Sequence, residues 1–305
     1  MKKVRHQVRR FIKRLSLVLG QGEILQSSVI IAYYVLFGLF PLIMVIGNIL
    51  PLLKIDTQPI ADYLSFIFPQ EVSNYVMPIV DTLLKTQSTG YMSIGLVAYI
   101  WSFSCLINAI RIGMNRLYGV HKVELRLPLA NFLWTRALTV ITSALLIMIF
   151  MIVIIMFGFG DQAVRFLAPI FHFSLKGYYW LRRYRWPVVI AVLFLTAWYL
   201  NWALPNINSR RRVLLPGTIT TVAGWLLLSA LFSFYLNNFN LTWENYGIVG
   251  TLIIFMLWLN LCAIILLFGT SCNAVLQEMR FGRVKYSVSA LSDYLRTRKN
   301  ESVKK

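Results

Sequence analysis

The sequence predicts an all-α, polytopic membrane protein with six transmembrane helices, and two observations lead to that prediction. Hydrophobic residues make up 58% of the 305 residues and charged residues only 13%, whereas soluble domains average about 25% charged residues. A membrane-spanning helix needs roughly 20 consecutive, mostly apolar residues. Six stretches are apolar enough and contain no acidic residue, at positions 30–53, 91–110, 137–158, 187–204, 217–236 and 248–268.

The chain begins with a segment, residues 1–25, that is predicted to form a basic amphipathic helix. Apolar Val8, Phe11 and Leu15 recur at helical spacing, and seven lysines and arginines lie within the first 14 residues. Such a helix is typical of the cytoplasmic membrane surface, where each basic residue near anionic lipid contributes about 1 kcal/mol. Nucleic acid is the alternative partner, which we do not expect because basic flanks are common in membrane proteins.

The first span contains Phe40-Pro41 near its middle, and a proline at that place removes a helix hydrogen bond. We expect a kink at Pro41, either for packing or for function. The next segment, 54–89, is too polar to cross the membrane. Its two apolar stripes at helical spacing predict a pair of external helices that form a lid or a spacer.

The segment 159–186, between the third and fourth spans, is an exception to the charge pattern. Alternation of the spans makes it external, yet it carries five basic residues and one acidic residue. Its aromatic content predicts an interfacial segment that lies against anionic headgroups. A miscounted span and a partly re-entrant segment are the alternatives. In the fifth span, Ser229 and Ser233 lie four residues apart and predict a face for close helix packing.

The distribution of charge predicts the orientation. Segments 54–89 and 237–247 together hold two basic and five acidic residues. Basic residues dominate four other segments outside the spans: 1–14, 111–136, 205–216 and the tail after 269. Because basic segments stay in the cytoplasm during insertion, both termini are predicted to be cytoplasmic. The chain then divides into the basic helix 1–25, a six-span membrane domain 26–280 and a basic cytoplasmic tail 281–305.

No catalytic or metal-binding pattern is visible. His6, His121 and His172 lie in separate polar segments, and the three cysteines form no CxxC pair. The sequence contains no phosphate-binding glycine loop, no HExxH and no GxSxG. We therefore expect neither an enzyme nor a cofactor.

The candidate site consists of polar side chains at membrane depth. Asn108, Arg111 and Asn115 lie three and seven positions apart, so they share one helix face at the inner end of the second span. We expect this face, with Asn260 and Asn273, to line a cavity and to bind an anionic lipid headgroup. Interhelical hydrogen bonding, worth about 0.6 kcal/mol each, is the alternative for the asparagines. Arg111 could equally extend to the cytoplasmic surface.

Several of these residues carry a resemblance to a known family. The stretch 204–278 resembles the C-terminal half of the YihY/BrkB family of bacterial inner-membrane proteins, formerly labelled ribonuclease BN. The matching features there are Leu204-Pro205, Arg210–Arg212, Leu215-Pro216-Gly217, Tyr235, Tyr246-Gly247, Gly250, Trp258, Gly269 and Asn273. Earlier matches are Ala32-Tyr33-Tyr34, Phe40-Pro41 and Asn115-Arg116-Leu117-Tyr118-Gly119. The prolines and glycines among them, Pro41, Pro216, Gly217, Gly247, Gly250 and Gly269, are expected to shape the helices.

The resemblance implies a six-helix fold in the bacterial inner membrane with both ends inside, which agrees with the charge distribution. It also implies a role in lipid or lipopolysaccharide traffic. One departure matters: family members often have a glutamate two residues before the position of Asn273, and this chain has Ser271. A mechanism that needs a proton-carrying carboxylate there is therefore not expected.

The sequence thus predicts a transporter, flippase or scramblase of an anionic lipid or lipid-linked envelope precursor. Membrane lipids are the expected partners, and a second copy of the chain or an envelope-assembly protein is the open alternative. A non-catalytic structural partner of envelope machinery is the second hypothesis for the function. An enzyme, including the inherited nuclease label, is the third.

Overall fold

A computed structural model describes residues 2–52, 89–120, 141, 185–208, 212–238, 247–282 and 285–286. These residues form helices, apart from one short antiparallel ladder in which Ile207 pairs with Tyr286 and Asn208 with Lys285. The helices are α1 (Lys2–Gln21), α2 (Ile24–Leu52), α3 (Thr89–Leu117), α4 (Arg185–Ala203), α5 (Leu215–Asn238) and α6 (Gly247–Phe281). The strands are β1 (Ile207–Asn208) and β2 (Lys285–Tyr286). The predicted all-helical character is confirmed for this part of the chain.

Three of the described helices contain segments long and apolar enough to cross a membrane, Ile94–Leu117, Leu215–Phe232 and Leu252–Phe281. A fourth candidate is the bent pair of α1 and α2, and α4 contributes a shorter apolar helix, Val189–Ala203. Five of the predicted spans therefore coincide with helices. Nearly all of the predicted third span at 137–158, of the external segments 54–89 and 159–186, and of the tail 281–305 lies outside the described residues.

Two helices extend well beyond the spans predicted for them. α3 continues to Leu117 and α6 to Phe281, whereas the predicted spans end at 110 and 268. The added turns are rich in polar residues, which ended the apolar stretches in the sequence. In the structure these side chains, Asn115, Asn273 and Gln277 among them, are buried against other helices. These side chains are therefore surrounded by other parts of the protein rather than by lipid.

The predicted basic segment forms a separate helix, α1, which meets α2 at an angle of 57°. The break falls at Gly22-Glu23, where Glu23 adopts a left-handed φ of 47°. A Cβ on Gly22 would lie 2.4 Å from Leu117 Cδ2 and 2.8 Å from Val18 O, so the turn packs directly on the end of α3. At Pro41, where we expected a kink, α2 continues without a break.

The core forms where α2, α3 and α6 pack together, around side chains such as Ile31, Ile107, Met114 and Leu267. α1 and α5 both pack on α6, and α4 packs on α5. Large apolar side chains point outward along the helices, including Leu25, Val97, Leu195 and Ile253, each more than 60% exposed. Such faces are expected of helices whose solvent is lipid.

The predicted topology can be tested by single-cysteine labelling, after replacement of the three native cysteines by serine. A cysteine at Thr242 or Lys176 should react with a membrane-impermeant maleimide in intact cells, because both segments are predicted to be external. A cysteine at Ser16, which is exposed on α1, should react only after permeabilisation. Reaction of the Lys176 position only after permeabilisation would contradict the assignment of 159–186.

Candidate functional site

A close helix contact joins the start of α5 to the later turns of α6. A Cβ on Gly269 would lie 2.1 Å from Thr221 Oγ1 and 2.5 Å from Gly217 O. A Cβ on Gly217 would lie 2.1 Å from Gly269 O. Both positions therefore need glycine, because the two backbones approach each other without room for a methyl group. The predicted structural role of Gly217 and Gly269 is supported by these distances.

This crossing corrects the position of the small-residue face predicted in the fifth span. The small residues that contact α6 are Gly217, Thr221 and Gly224, one and two turns apart along α5. Ser229, which we expected in the contact, is exposed. The spacing of the two serines did not predict this contact. Which face of α5 packs depends on the position of α6, which is not contained in the sequence of α5.

Three buried polar residues on α4 and α6, Asn201, Thr270 and Asn273, form what we call the amide cluster. Asn201 Oδ1 accepts hydrogen bonds from Thr270 Oγ1 at 3.0 Å and from Asn273 Nδ2 at 3.1 Å. Asn201 Nδ2 donates to Ala197 O in its own helix at 2.9 Å. Each of the three side chains has 0% exposure, so the cluster ties α4 to α6 within the core.

The same helix, α6, also caps the N-terminus of α5. Asn273 Oδ1 accepts from the Gly217 N–H at 2.7 Å, and Gln277 Oε1 accepts from the Val213 N–H at 2.8 Å. The first N–H groups of a helix have no partner within it, and Pro216 has no N–H to satisfy. Asn273 thus supplies to Gly217 what a local N-cap residue would supply, whereas Gln277, one turn further along α6, holds Val213 in the segment just before α5.

The predicted face Asn108, Arg111 and Asn115 is divided between two tasks. Asn115 is fully buried, and its Oδ1 accepts from the backbone N–H of Asn206 at 2.8 Å, which fixes the segment after α4 to the end of α3. Arg111 is only 3% exposed and donates through Nη2 to Asn108 Oδ1 at 2.9 Å. Asn115 therefore has a structural role, whereas Arg111 remains a buried guanidinium beside an amide.

The other predicted amide, Asn260 on α6, stands apart from these groups. Its Oδ1 is buried and has no hydrogen-bond partner among the described residues. Gly247 and Gly250 lie in the first turn of α6, and no contacts of theirs are described. The structure thus brings Asn273 into the amide cluster and leaves Asn260 outside it.

The end of α3 is a C-cap built on Gly119, whose φ is 71°. The Val120 N–H donates to Asn115 O and the Gly119 N–H donates to Arg116 O, both at 3.0 Å. This pair of bonds is a Schellman motif, which needs a left-handed residue and therefore favours glycine. The cap fixes the positions of Arg116 and Tyr118 at the end of α3.

Tyr118 follows α3 and packs with Val120, Ile207 and Ala274. Burial raises the pKa of its hydroxyl, and the nearby Arg212 charge opposes that shift only in part. The hydroxyl is therefore protonated at neutral pH. Arg212 itself donates to Trp202 O and to Ile207 O, the latter at 2.8 Å, so it binds the last carbonyls around the end of α4.

A cavity of about 300 Å³ lies between α1, the end of α3 and the end of α6. We call it the basic cavity. Its polar lining comes from Arg14, Gln21, Arg116, Tyr118 and Glu278, and its apolar lining includes Leu17, Val18 and Leu117. The volume is at the lower end of the roughly 300–1,000 Å³ of small-ligand sites.

Two ion pairs border the basic cavity and connect distant parts of the chain. Arg14 Nη2 lies 2.5 Å from Glu278 Oε1, which joins α1 to α6. Arg116 Nη1 lies 2.8 Å from Glu23 Oε2, and it also donates to Ser27 Oγ at 3.3 Å. The Arg14, Glu278 and Arg116 side chains are 41%, 24% and 27% exposed, so solvent or a ligand can reach them.

Such a lining combines guanidinium groups, which bind phosphate oxygens through paired hydrogen bonds, with a carboxylate and an apolar wall. Sequence reasoning did not predict it. Arg116 belongs to a stretch that carried the family resemblance, but Arg14 and Glu278 were only counted among basic and acidic residues. Among the described residues, no group of three His, Cys, Asp or Glu side chains is placed to hold a metal ion.

Comparison with known proteins identifies one matching family. The family model of Virulence factor BrkB matches residues 17–290. The ribonuclease-like protein YfkH of Bacillus subtilis is 25% identical over 272 residues, which are 88% of this chain and 96% of that protein. No solved structure matches the chain.

A second group of similar proteins carries the name UPF0761 membrane protein, which indicates no catalytic activity. Those of Xanthomonas campestris pv. campestris and Xanthomonas axonopodis pv. citri are each 24% identical over 264 residues. The match covers 85% of this chain and 59% of those proteins. This chain therefore matches somewhat more than half the length of the Xanthomonas proteins.

Proposed function

We propose, from the premise that this chain belongs to the BrkB family of membrane proteins, that it moves a lipid between membrane leaflets. The substrate is an amphiphile with an anionic phosphate headgroup, a phospholipid or a lipid-linked envelope precursor. The site of action is the bacterial inner membrane, which the chain crosses several times with both termini in the cytoplasm.

The basic cavity is the observation that carries this proposal. Arg14 and Arg116 offer guanidinium groups at an accessible, partly enclosed place. Leu17 and Val18 line the same cavity, and an acyl chain can lie along such side chains. A cavity lined by both guanidinium groups and apolar side chains suits an amphiphile better than it suits a water-soluble anion.

The position of the cavity beside α1 supports a route from the membrane surface. α1 exposes Val8 and Ile12, one turn apart, together with basic residues such as Arg9 and Lys13. A helix of that pattern lies in the interface, with its apolar side among acyl chains and its basic side near headgroups. Lipid headgroups are therefore concentrated at the entrance of the basic cavity.

The movement is proposed to be passive. The sequence has no nucleotide-binding loop, and none of the six predicted spans contains a carboxylate that could carry a proton. A protein that only lowers the barrier to exchange needs neither. Arg111, beside Asn108, is proposed as a second contact for the phosphate at greater depth, because a buried arginine in a membrane helix is costly and commonly marks a substrate path.

The proposal can be tested in proteoliposomes with a phospholipid that carries a fluorophore on its acyl chain. Wild-type protein should exchange the lipid between leaflets, as measured by dithionite quenching of the outer leaflet. Arg14→Gln should slow the exchange about fivefold or more, because it removes a charge-assisted phosphate contact. Arg280→Gln is the matched control, since Arg280 is an exposed arginine on α6 that does not line the cavity.

Arg111 provides a second arm of the same experiment. Arg111→Ala should slow exchange more than Arg111→Lys, because lysine retains the charge but not the two parallel hydrogen bonds. If wild-type protein exchanges no phospholipid or lipid-linked precursor, the proposed function is wrong. If Arg111→Ala folds and exchanges lipid at the wild-type rate, only the assignment of Arg111 is lost.

One observation favours a second candidate, a non-catalytic assembly partner of envelope machinery or a self-association. Thr218 and Thr221 in the N-terminal part of α5 are fully buried, whereas its later turns expose Leu227, Leu231 and Phe234 at 56–63%. An apolar face of this kind can also contact lipid acyl chains. Absence of lipid exchange, combined with co-purification of a stoichiometric envelope protein lost in Leu231→Ser, would favour this candidate.

A further inference from the structure

We infer that the basic cavity selects a headgroup in which a primary ammonium stands beside the phosphate, as in a phosphoethanolamine group, over a headgroup that carries the phosphate alone. This inference rests on the proposed function, since it narrows the substrate of the same site. It follows from the way the charged side chains of the cavity are paired.

The charged side chains that line the cavity are ion-paired. Arg14 pairs with Glu278 at 2.5 Å and Arg116 pairs with Glu23 at 2.8 Å, so two cations face two anions. Only three of these four side chains, Arg14, Arg116 and Glu278, line the cavity itself. A ligand that enters therefore meets two guanidinium groups and one carboxylate.

A phosphate on Arg14 has to share the guanidinium with Glu278 or displace the carboxylate. A headgroup with no positive charge then places two anions, its phosphate and Glu278, around the Arg14 guanidinium, and like charges at close distance oppose binding. A headgroup with an ammonium gives Glu278 a new cation in exchange for Arg14. Each charged group keeps an oppositely charged partner during this exchange. No unpaired charge is therefore left in the partly buried site.

The geometry also limits the distance between the two charges of the ligand. Because Arg14 and Glu278 are in contact, the cationic and anionic ends of a ligand that bridges them must be close together. A two-carbon spacer between phosphate and amine meets this condition, whereas a long or bulky spacer does not.

The inference can be tested by binding in detergent, which does not require lipid movement. Purified protein is titrated with dihexanoyl phosphatidylethanolamine and, separately, with its N-acetyl derivative, which keeps the phosphate and removes the ammonium. Calorimetry should give an affinity about fivefold higher for the ammonium-bearing lipid, the value of one partly exposed ion pair. Equal affinities of the wild-type protein for the two lipids would overturn the inference.

Variants locate the preference within the cavity. Glu278→Gln should reduce the affinity ratio to about one, while the amide can still accept a hydrogen bond from Arg14. Gln21→Ala is the control, because Gln21 lines the cavity but carries no charge, so this variant should keep the preference. A preference that survives in Glu278→Gln, with an unchanged melting temperature, would also overturn the inference.

The outcomes separate this inference from the function on which it rests. Preferential binding without exchange in proteoliposomes would refute the proposed function and leave the ligand assignment of the cavity. Equal binding and equal exchange of both lipids would support the proposed function and refute the selectivity. If neither lipid binds but exchange is intact, the substrate path lies outside the basic cavity and the inference is wrong.

Discussion

Replacing Gly269 by valine should prevent the accumulation of folded protein. Even a Cβ at this position would lie 2.1 Å from Thr221 Oγ1 and 2.5 Å from Gly217 O. The hydroxyl could rotate away, but the carbonyl belongs to the backbone of α5, so the two helices would have to separate. We expect a destabilisation of about 3 kcal/mol or more, the upper part of the range for overpacked contacts.

Gly269→Ala should already lower the melting temperature in detergent, as followed by fluorescence-detected size-exclusion chromatography after heating. Gly20→Ala is the matched control, because Gly20 lies inside α1 and a Cβ at this position would have no other atom within 4 Å. Alanine there should be neutral or stabilise by about 0.5–1 kcal/mol, since glycine is a poor helix former. Equal melting of Gly269→Ala and wild type would show that the close crossing is not required.

Replacing Asn273 by alanine should cost about 3 kcal/mol of stability. The change removes the acceptor of the Gly217 N–H at the start of α5 and the donor to Asn201 Oδ1. Asn201 Oδ1 keeps the bond from Thr270, but the buried N–H of Gly217 loses its side-chain partner. A buried donor left unsatisfied costs about 1–3 kcal/mol, and the cavity left by the truncated side chain adds to that cost.

Ser271→Ala is the matched control for Asn273→Ala. Ser271 is also fully buried on α6, but its hydroxyl donates to Phe268 O within the same helix. Its loss should change the melting temperature by a much smaller amount, because that carbonyl belongs to the same helix and no second helix loses a cap. If both variants melt at the same temperature, Asn273 does not act as the cap of α5.

Part of the candidate site was predictable from the sequence. Gly217, Gly269 and Asn273 were singled out through the family resemblance, and the structure places all three in one helix crossing. Asn115 was expected to bind a ligand, which stays a prediction, and its Oδ1 accepts from the Asn206 N–H. A buried amide can serve a backbone group or a substrate equally well, and the sequence does not contain the partner's position.

What the sequence determined by itself is the membrane character, the approximate place of the helices and the amphipathic nature of α1. These properties are local: apolar content and helical spacing are read within about 20 residues, and lipid requires each backbone group to be satisfied within a helix or a closed assembly. Composition and periodicity therefore suffice for them.

Only the tertiary structure decided the partners. The pairing of Arg14 with Glu278 joins residues 264 positions apart, and the bond from Gly217 to Asn273 joins residues 56 positions apart. The ends of α3 and α6, which polar residues made ambiguous in the sequence, were decided by burial of those residues against other helices. Hydrogen bonds and ion pairs act over a few ångströms in space, so side chains distant in the chain form the basic cavity only when the helices have packed.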